Sequence, residues 1–413
     1  MPLLLRGEEL QAGMTLVEPL IWRGRVMLTA GTVLAASDVR TLASKFPNIT
    51  VKIGAPELEA AVEFEDDSLE REVARTAQQK ISECMSKVQA RFRTQASLDG
   101  VSVAAIHNSI TEMLRYLHDS PVSAALLDRV MSDGNYLSGH TGNVFYLSML
   151  LGSASQAYVS CERKRQSLVR GLDDKVATNL VPLGLGAMVM DVGMMSLTHL
   201  FASDKPLTPD DWVAIRNHPA AGAAMLPEEF SATAKTIVRT HHENMEGSGY
   251  PDSTPGDKLH VFTRIVRIAD AYDAATAEHV YKEARSPIRV LWDMSVGPQK
   301  RFYDPVLMHH FSRLIQPFPV GAKIWLTDRR HAVVVRYNRE NSLAPWIVIA
   351  FDVRNRRLSN REIEGPMLLG ADREVRAAKF RDEDLSFLYQ EPEQSTHRSR
   401  VGVWPTLFEA AFP

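Results

Sequence analysis

Six residues in the middle of this chain have the side chains of a metal site: His140, Asp191, His218, His241, His242 and Asp270. Asp191 lies in Val189-Met190-Asp191-Val192-Gly193 and Asp270 in Ile265-Val266-Arg267-Ile268-Ala269-Asp270-Ala271, both otherwise largely apolar. A lone carboxylate buried in such a setting costs several kcal/mol unless it finds a partner or an ion. One such residue is usually a cap or half of an ion pair. Several acids and imidazoles in one helical bundle point to a metal centre. The alternatives are that His140 is a core histidine, and that His218, before Pro219, is a helix-end polar residue.

The elements that must position these residues are helical. From about Pro121 to Ile315 the apolar spacing is that of helices, broken at Ser132-Asp133-Gly134-Asn135, Leu207-Thr208-Pro209-Asp210 and Glu246-Gly247-Ser248-Gly249. Thr208-Pro209-Asp210-Asp211 reads as a helix start: a cap, a proline in the first turn, and acids at the positive end of the dipole. Val176–Met195 is the most apolar stretch, but Asn179, Pro182 and Asp191 make it a buried core helix rather than a membrane span. Before Ile53, short strands (Thr15-Leu16-Val17, Leu20-Ile21-Trp22, Val26-Met27-Leu28) predict a β-rich module. After Pro317, Lys323–Leu326, Ala332–Tyr337 and Trp346–Phe351 predict a second, barrel-like one. The expected fold is mainly α, a helical bundle between two small β-modules. Its expected divisions are 1–56 β-rich, 57–120 linker helix with an Ile81-Met85-Val88-Phe92 stripe, 121–316 helical bundle, 317–371 β, and 372–413 tail.

Composition is ordinary for a globular chain: 413 residues, 45% hydrophobic, 23% charged, net charge -3. Nothing in it favours nucleic acid or an anionic membrane as a partner. Two cysteines without metal spacing, and a leading apolar run too short for a signal peptide, make the cytoplasm the expected compartment.

His241-His242-Glu243 followed by Glu246-Gly247-Ser248-Gly249-Tyr250-Pro251 closely resembles the signature of the HD-GYP family. Further matches follow in order: His140-Thr141-Gly142-Asn143, Lys205-Pro206-Leu207-Thr208 with His218-Pro219 and Gly222, Arg264-Ile265 through Asp270-Ala271-Tyr272-Asp273-Ala274, and Asp304-Pro305. Together they span Pro121 to Ile315. The resemblance implies an HD-type helical bundle and hydrolysis of cyclic di-GMP with iron or manganese, one or two ions rather than three. It implies one metal position from Asp191, His218, His241 and His242, and another from His140, Asp191 and Asp270. Asp191 becomes the catalytic carboxylate, and Tyr250, Pro251 and Lys282 become substrate contacts. Glu243 is expected to orient a ligand histidine, with solvent exposure the alternative, and Asp273 to be structural. Expected partners are cyclic di-GMP, a signalling protein, and a second copy in a homodimer.

Three positions depart from the family pattern. Met190 stands for the histidine of the His-Asp pair, Met194 for a lysine, and His279 for an arginine. The His140-to-Asp191 spacing is also long, through the basic Arg163-Lys164-Arg165 stretch. A thioether is a poor ligand for iron or manganese, so the second position is the weaker. Three readings stay open: a phosphodiesterase, a non-catalytic sensor or docking module, and a phosphohydrolase for another nucleotide.

Overall fold

The computed structural model describes residues 3–22, 25–66, 136–168, 171–197, 207–277, 284–372 and 375–389, with scattered helical positions from 72 to 115 and at 200. The Ile81–Phe92 stripe, His279 and Lys282 lie outside the described residues. The chain divides into two units, Met1–Leu69 with Gln316–Glu391, and Glu70–Ile315 with Pro392–Pro413.

In the first unit the two predicted β-modules are one body, a correction to the expected 1–56 and 317–371 division. Strand β1 (Leu3–Arg6) pairs antiparallel with β4 (Thr50–Ile53), and β2 (Leu20–Trp22) with β3 (Arg25–Leu28). Helices α1 (Ala36–Lys45) and α2 (Pro56–Ala61) belong to the same unit. Strands β5 (Lys323–Leu326), β6 (His331–Arg336), β7 (Trp346–Phe351), β8 (Glu364–Leu368), β9 (Ala377–Phe380) and β10 (Glu383–Asp384) form one antiparallel sheet in the order β10-β9-β5-β6-β7-β8. With unpaired strands at both ends among the described residues, it is an open sheet rather than the expected barrel.

The reason the modules merge is burial. Alternate residues Leu3 and Leu5 of β1, and Val51 and Ile53 of β4, share one core with Val333 and Val335 of β6 and Val348 and Ala350 of β7. Neither segment alone has enough inward-facing surface to close a core. The first part of the expected tail also belongs to the sheet, through β9 and β10.

The second unit is helical, as expected: α3 (Tyr136–Ala154), α4 (Gln156–Gln166), α5 (Asp174–Ala177), α6 (Val181–Met188), α7 (Pro209–Met225), α8 (Ala232–Thr240), α9 (Val261–Thr276), α10 (Pro287–Ser295) and α11 (Pro305–Leu314). Helix α9 is the axis. Every residue from Val261 to Ala275 is buried, and it packs on α3, α4, α6, α8, α10 and α11. The apolar stretch expected as one core helix is α5, α6 and a 3₁₀ segment, Val192–Leu197. By length and composition Asp174–Leu197 could cross a membrane, yet 78% of its most apolar window is buried inside the fold.

Caps fix the helix starts. Thr208 Oγ1 accepts from Asp211 N at 3.2 Å while Asp211 Oδ2 accepts from Thr208 N at 2.8 Å, with Pro209 in the first turn. Asp304 accepts from Val306 N and Leu307 N at 3.0 and 3.2 Å to start α11. Its other oxygen takes Arg264 Nη1 at 3.0 Å and the Tyr158 hydroxyl at 2.7 Å.

Candidate metal centre

Three helix features deliver the histidines. Pro219 sits inside α7 and has no N–H for the carbonyl of Ile215, its partner four residues back. The His218 Nδ1–H takes that carbonyl instead, at 2.6 Å. Helix α8 ends at Thr240, leaving its last carbonyls without intrahelical donors. One of them, Val238 O, accepts from His241 Nδ1 at 2.8 Å. Because His241 and His242 stand on the turn after the helix, their rings lie together, centroids 4.1 Å apart.

Close backbone approach delivers the carboxylate. A Cβ on Gly193 would fall 2.2 Å from His218 O and 2.9 Å from Gly222 N. Only glycine there lets the 3₁₀ segment after Asp191 lie against α7. Asp191 Oδ1 then stands 3.4 Å from His218 Nε2 and 3.8 Å from His241 Nε2, while Oδ2 faces His140 Nε2 at 3.8 Å.

Asp191, His218, His241 and His242 are all buried, with one ligand atom from each within 4.8 Å of the others. A carbonyl can only accept, so each bonded Nδ1 is the donor, and a neutral ring then carries a bare lone pair on Nε2. The two Nε2 atoms, of His218 and His241, are 3.2 Å apart. Lone pairs facing at that distance repel unless something positive lies between them. A proton is disfavoured, because burial holds His241 well below the usual histidine range, and the imidazoles crowded beside it oppose a charge there as well. Burial likewise depresses His242. The donor set therefore fits a divalent cation.

The second group is built on α3 and α9. His140 Nδ1 lies 2.8 Å from Asp273 Oδ2 and its Nε2 lies 3.1 Å from Asp270 Oδ1. Asn143, one turn along α3, donates to Asp273 Oδ1 at 2.7 Å. Burial pulls His140 down, but hydrogen bonds to Asp270 and Asp273 outweigh it and hold the ring well above its ordinary pKa. Burial pushes Asp191 up, yet His218 and His140 bring it down to about 2. Asp270 is held well below the carboxylate range, since His242 and His140 overcome its burial. Asp273, expected as structural, is the group that orients His140. Met190 and Met194, at 0% and 2% exposure, add no hard donor to this half.

Glu243 corrects an expectation. It is buried, but rather than orienting a histidine its Oε1 and Oε2 accept the backbone N–H groups of Asp252 and Thr254 at 2.7 and 3.0 Å. It anchors the loop that carries Tyr250 and Pro251. Gly249 packs against the same turn, where a Cβ would lie 2.4 Å from Glu243 Cα and from His242 O. The Tyr250 ring stacks on His242 at 4.8 Å and 29°, placing the loop over the cluster.

Sequence reasoning missed Arg267, Asn143, Asn244 and Tyr303. Arg267 donates from Nε to Asn244 Oδ1 at 3.0 Å, and its Nη1 is 3.7 Å from Asp270 Oδ2. The signal was present: a second arginine inside a helix buried on all sides needs a reason.

Residues 165–307 match the family described as an HD domain. A cyclic di-GMP phosphodiesterase of Pseudomonas aeruginosa is 28% identical over 177 residues, 42% of this chain and 42% of that protein. A probable cyclic di-GMP phosphodiesterase of Vibrio cholerae is 34% identical over 135 residues, 30% of each chain. The 3'3'-cGAMP-specific phosphodiesterase 3 of Vibrio cholerae is 34% identical over 103 residues, 24% of this chain and 22% of that one. This chain thus aligns with less than half the length of these curated relatives. Residues 165–307 therefore form an HD-domain segment that contains His241-His242-Glu243, Gly249-Tyr250-Pro251 and the Met190-Asp191 pair.

Proposed function

We propose that this chain is a metal-dependent phosphodiesterase that hydrolyses cyclic di-GMP, with iron or manganese as its ion. The observation that carries the reading is the convergence of Asp191, His218, His241 and His242 beneath the Tyr250 loop. The names of its relatives support the same reaction class. A bound iron or manganese ion supplies a water of lowered pKa and positive charge against the phosphate.

The chain's own residues do the rest. His218 and His241 present Nε2 because their Nδ1 atoms are committed to backbone carbonyls. Asp191 turns one oxygen to those rings and the other to His140, so it joins both halves and is the catalytic residue of this reading; Asp270 also reaches both, through His140 and His242. Tyr250 and Pro251 border the nucleotide, on a loop pinned by Glu243. The test is hydrolysis of cyclic di-GMP by manganese- or iron-loaded protein, with 3'3'-cGAMP alongside. Asp191→Asn should abolish turnover. Folded, metal-loaded protein that turns over neither nucleotide refutes the proposal.

A second reading, a binding module without turnover, is favoured by the burial of Met190 and Met194 beside Asp191. It requires that the parent bind cyclic di-GMP without cleaving it, and that Met190→His with Met194→Lys raise both metal content and turnover. A parent that is already fully active excludes it.

A further inference from the structure

Two arginines lie inside the fully buried run of α9, and they are treated differently. Arg264 pairs through Nη1 with two carboxylates, Glu162 at 2.9 Å and Asp304 at 3.0 Å, though its Nη2 has no partner among the described residues. Arg267 is equally buried, at 4% exposure. Among the described residues its one hydrogen bond runs from Nε to Asn244 Oδ1. The carboxylate it faces, Asp270, is 3.7 Å away, beyond hydrogen-bond length. Asp270 directs its oxygens at two imidazoles instead, Oδ1 at 3.1 Å from His140 Nε2 and Oδ2 at 3.3 Å from His242 Nδ1. A guanidinium carries a rigid fork of five N–H donors, so most of this one has no acceptor. Its open donors are not among the sealed, partnerless nitrogens of the fold, so an anion can reach them.

The surroundings supply further donors. The guanidinium lies over the Tyr303 ring, 5.5 Å from its centroid. Tyr303 is 2% exposed, and among the described residues its hydroxyl has no hydrogen-bond partner. The Tyr250 hydroxyl is also buried without one. Both phenols lie in the field of the same Arg267 and Asp270. Burial pushes the Tyr303 hydroxyl up to about 12, so it is a donor at neutral pH. Met245 N donates to Phe302 O at 3.0 Å, which ties the segment bearing Tyr303 to the loop after His242. A guanidinium and orphan hydroxyls beside a cation site have the chemistry of an oxyanion subsite.

We infer that Arg267 and Tyr303 bind a phosphate oxygen of the ligand beside the metal centre. The ligand class is a phosphate ester or free phosphate; that it is a cyclic dinucleotide rests on the function proposed above.

The experiment is calorimetric titration of the full, manganese-loaded chain with inorganic phosphate, and separately with cyclic di-GMP. It compares the parent with Tyr303→Phe, Arg267→Lys and Arg267→Gln, with melting temperature and metal content measured on each. The parent binds phosphate. Tyr303→Phe, which removes one oxygen and keeps the ring, weakens it about five-fold, the value of one hydrogen bond. Arg267→Gln weakens it about ten-fold or more, as for a charged hydrogen bond, and Arg267→Lys falls between. Metal content stays at the parent's value. If Arg267→Gln does not fold, Tyr303→Phe and Arg267→Lys decide.

Phosphate affinity equal to the parent's in those two variants means that the metal alone holds phosphate, and overturns the inference. So does a parent that binds no phosphate. Phosphate binding that is lost in the variants, with no cyclic di-GMP binding by the parent, leaves the subsite standing and sinks the dinucleotide reading instead.

Discussion

Replacing Pro219 with alanine should make the protein more stable and a worse metal binder. The restored N–H at position 219 competes for Ile215 O, the acceptor that fixes His218 through Nδ1 at 2.6 Å. Removing an interior proline returns up to about 3 kcal/mol of helix stability. Deleting two ring methylenes at this buried position costs about 1.6 kcal/mol, at about 0.8 kcal/mol each. The difference is a gain of about 1 kcal/mol, or a rise of about 2–4 °C in melting temperature for a unit of this size. The His218 ring, no longer held by an undivided acceptor, loses its preset tautomer and direction. Loss of such a supporting bond typically costs 10- to 100-fold in metal affinity, so about ten-fold is the expected minimum. Calorimetric titration with manganese, beside a thermal melt without metal, reads the two effects separately. Unchanged manganese affinity would refute the reasoning. So would affinity that merely follows a loss of stability, because the account requires opposite signs.

Gly193→Ala should cost about 2–3 kcal/mol and lower metal content, since the new methyl meets backbone atoms at 2.2 and 2.9 Å that cannot turn aside; a normal melt with full metal would contradict it. Glu243→Gln should weaken nucleotide binding while leaving metal content intact, because the carboxylate holds loop amides and not a ligand histidine; depleted metal would restore the role first expected from sequence. His260 caps α9 by accepting from Phe262 N at 3.1 Å, and burial, with Arg163 and Arg264, lowers it to about 4. Its folded pKa is depressed, so its contribution is complete above the unfolded value of about 6.5 and is lost as pH falls toward about 4, at up to about 1.4 kcal/mol per unit. His260→Asn, which keeps a capping oxygen, should flatten the fall in melting temperature between pH 7 and 5, and an unchanged slope would count against this assignment.

The sequence by itself determined the helical bundle and its caps, and it singled out the candidate ligand set. Periodicity, Thr208-Pro209 and Asp304-Pro305 are local signals, written within a few residues of where they act. His140, Asp191, His218, His241, His242 and Asp270 were legible because polar residues inside apolar helices stand out against the pattern. What only the tertiary structure decided is how those residues are shared. Asp273 and Asn143 enclose His140 across two helices 130 residues apart in sequence, and Glu243 turns to the loop instead of the histidines. The same holds for the β-segments at either end of the chain, which fill one core because neither has a second layer of its own. Arg267 lies between these cases. Its position in a buried helix was readable, but its missing acceptor was not, because hydrogen-bond satisfaction depends on which carboxylate the fold brings near and on what that carboxylate already holds.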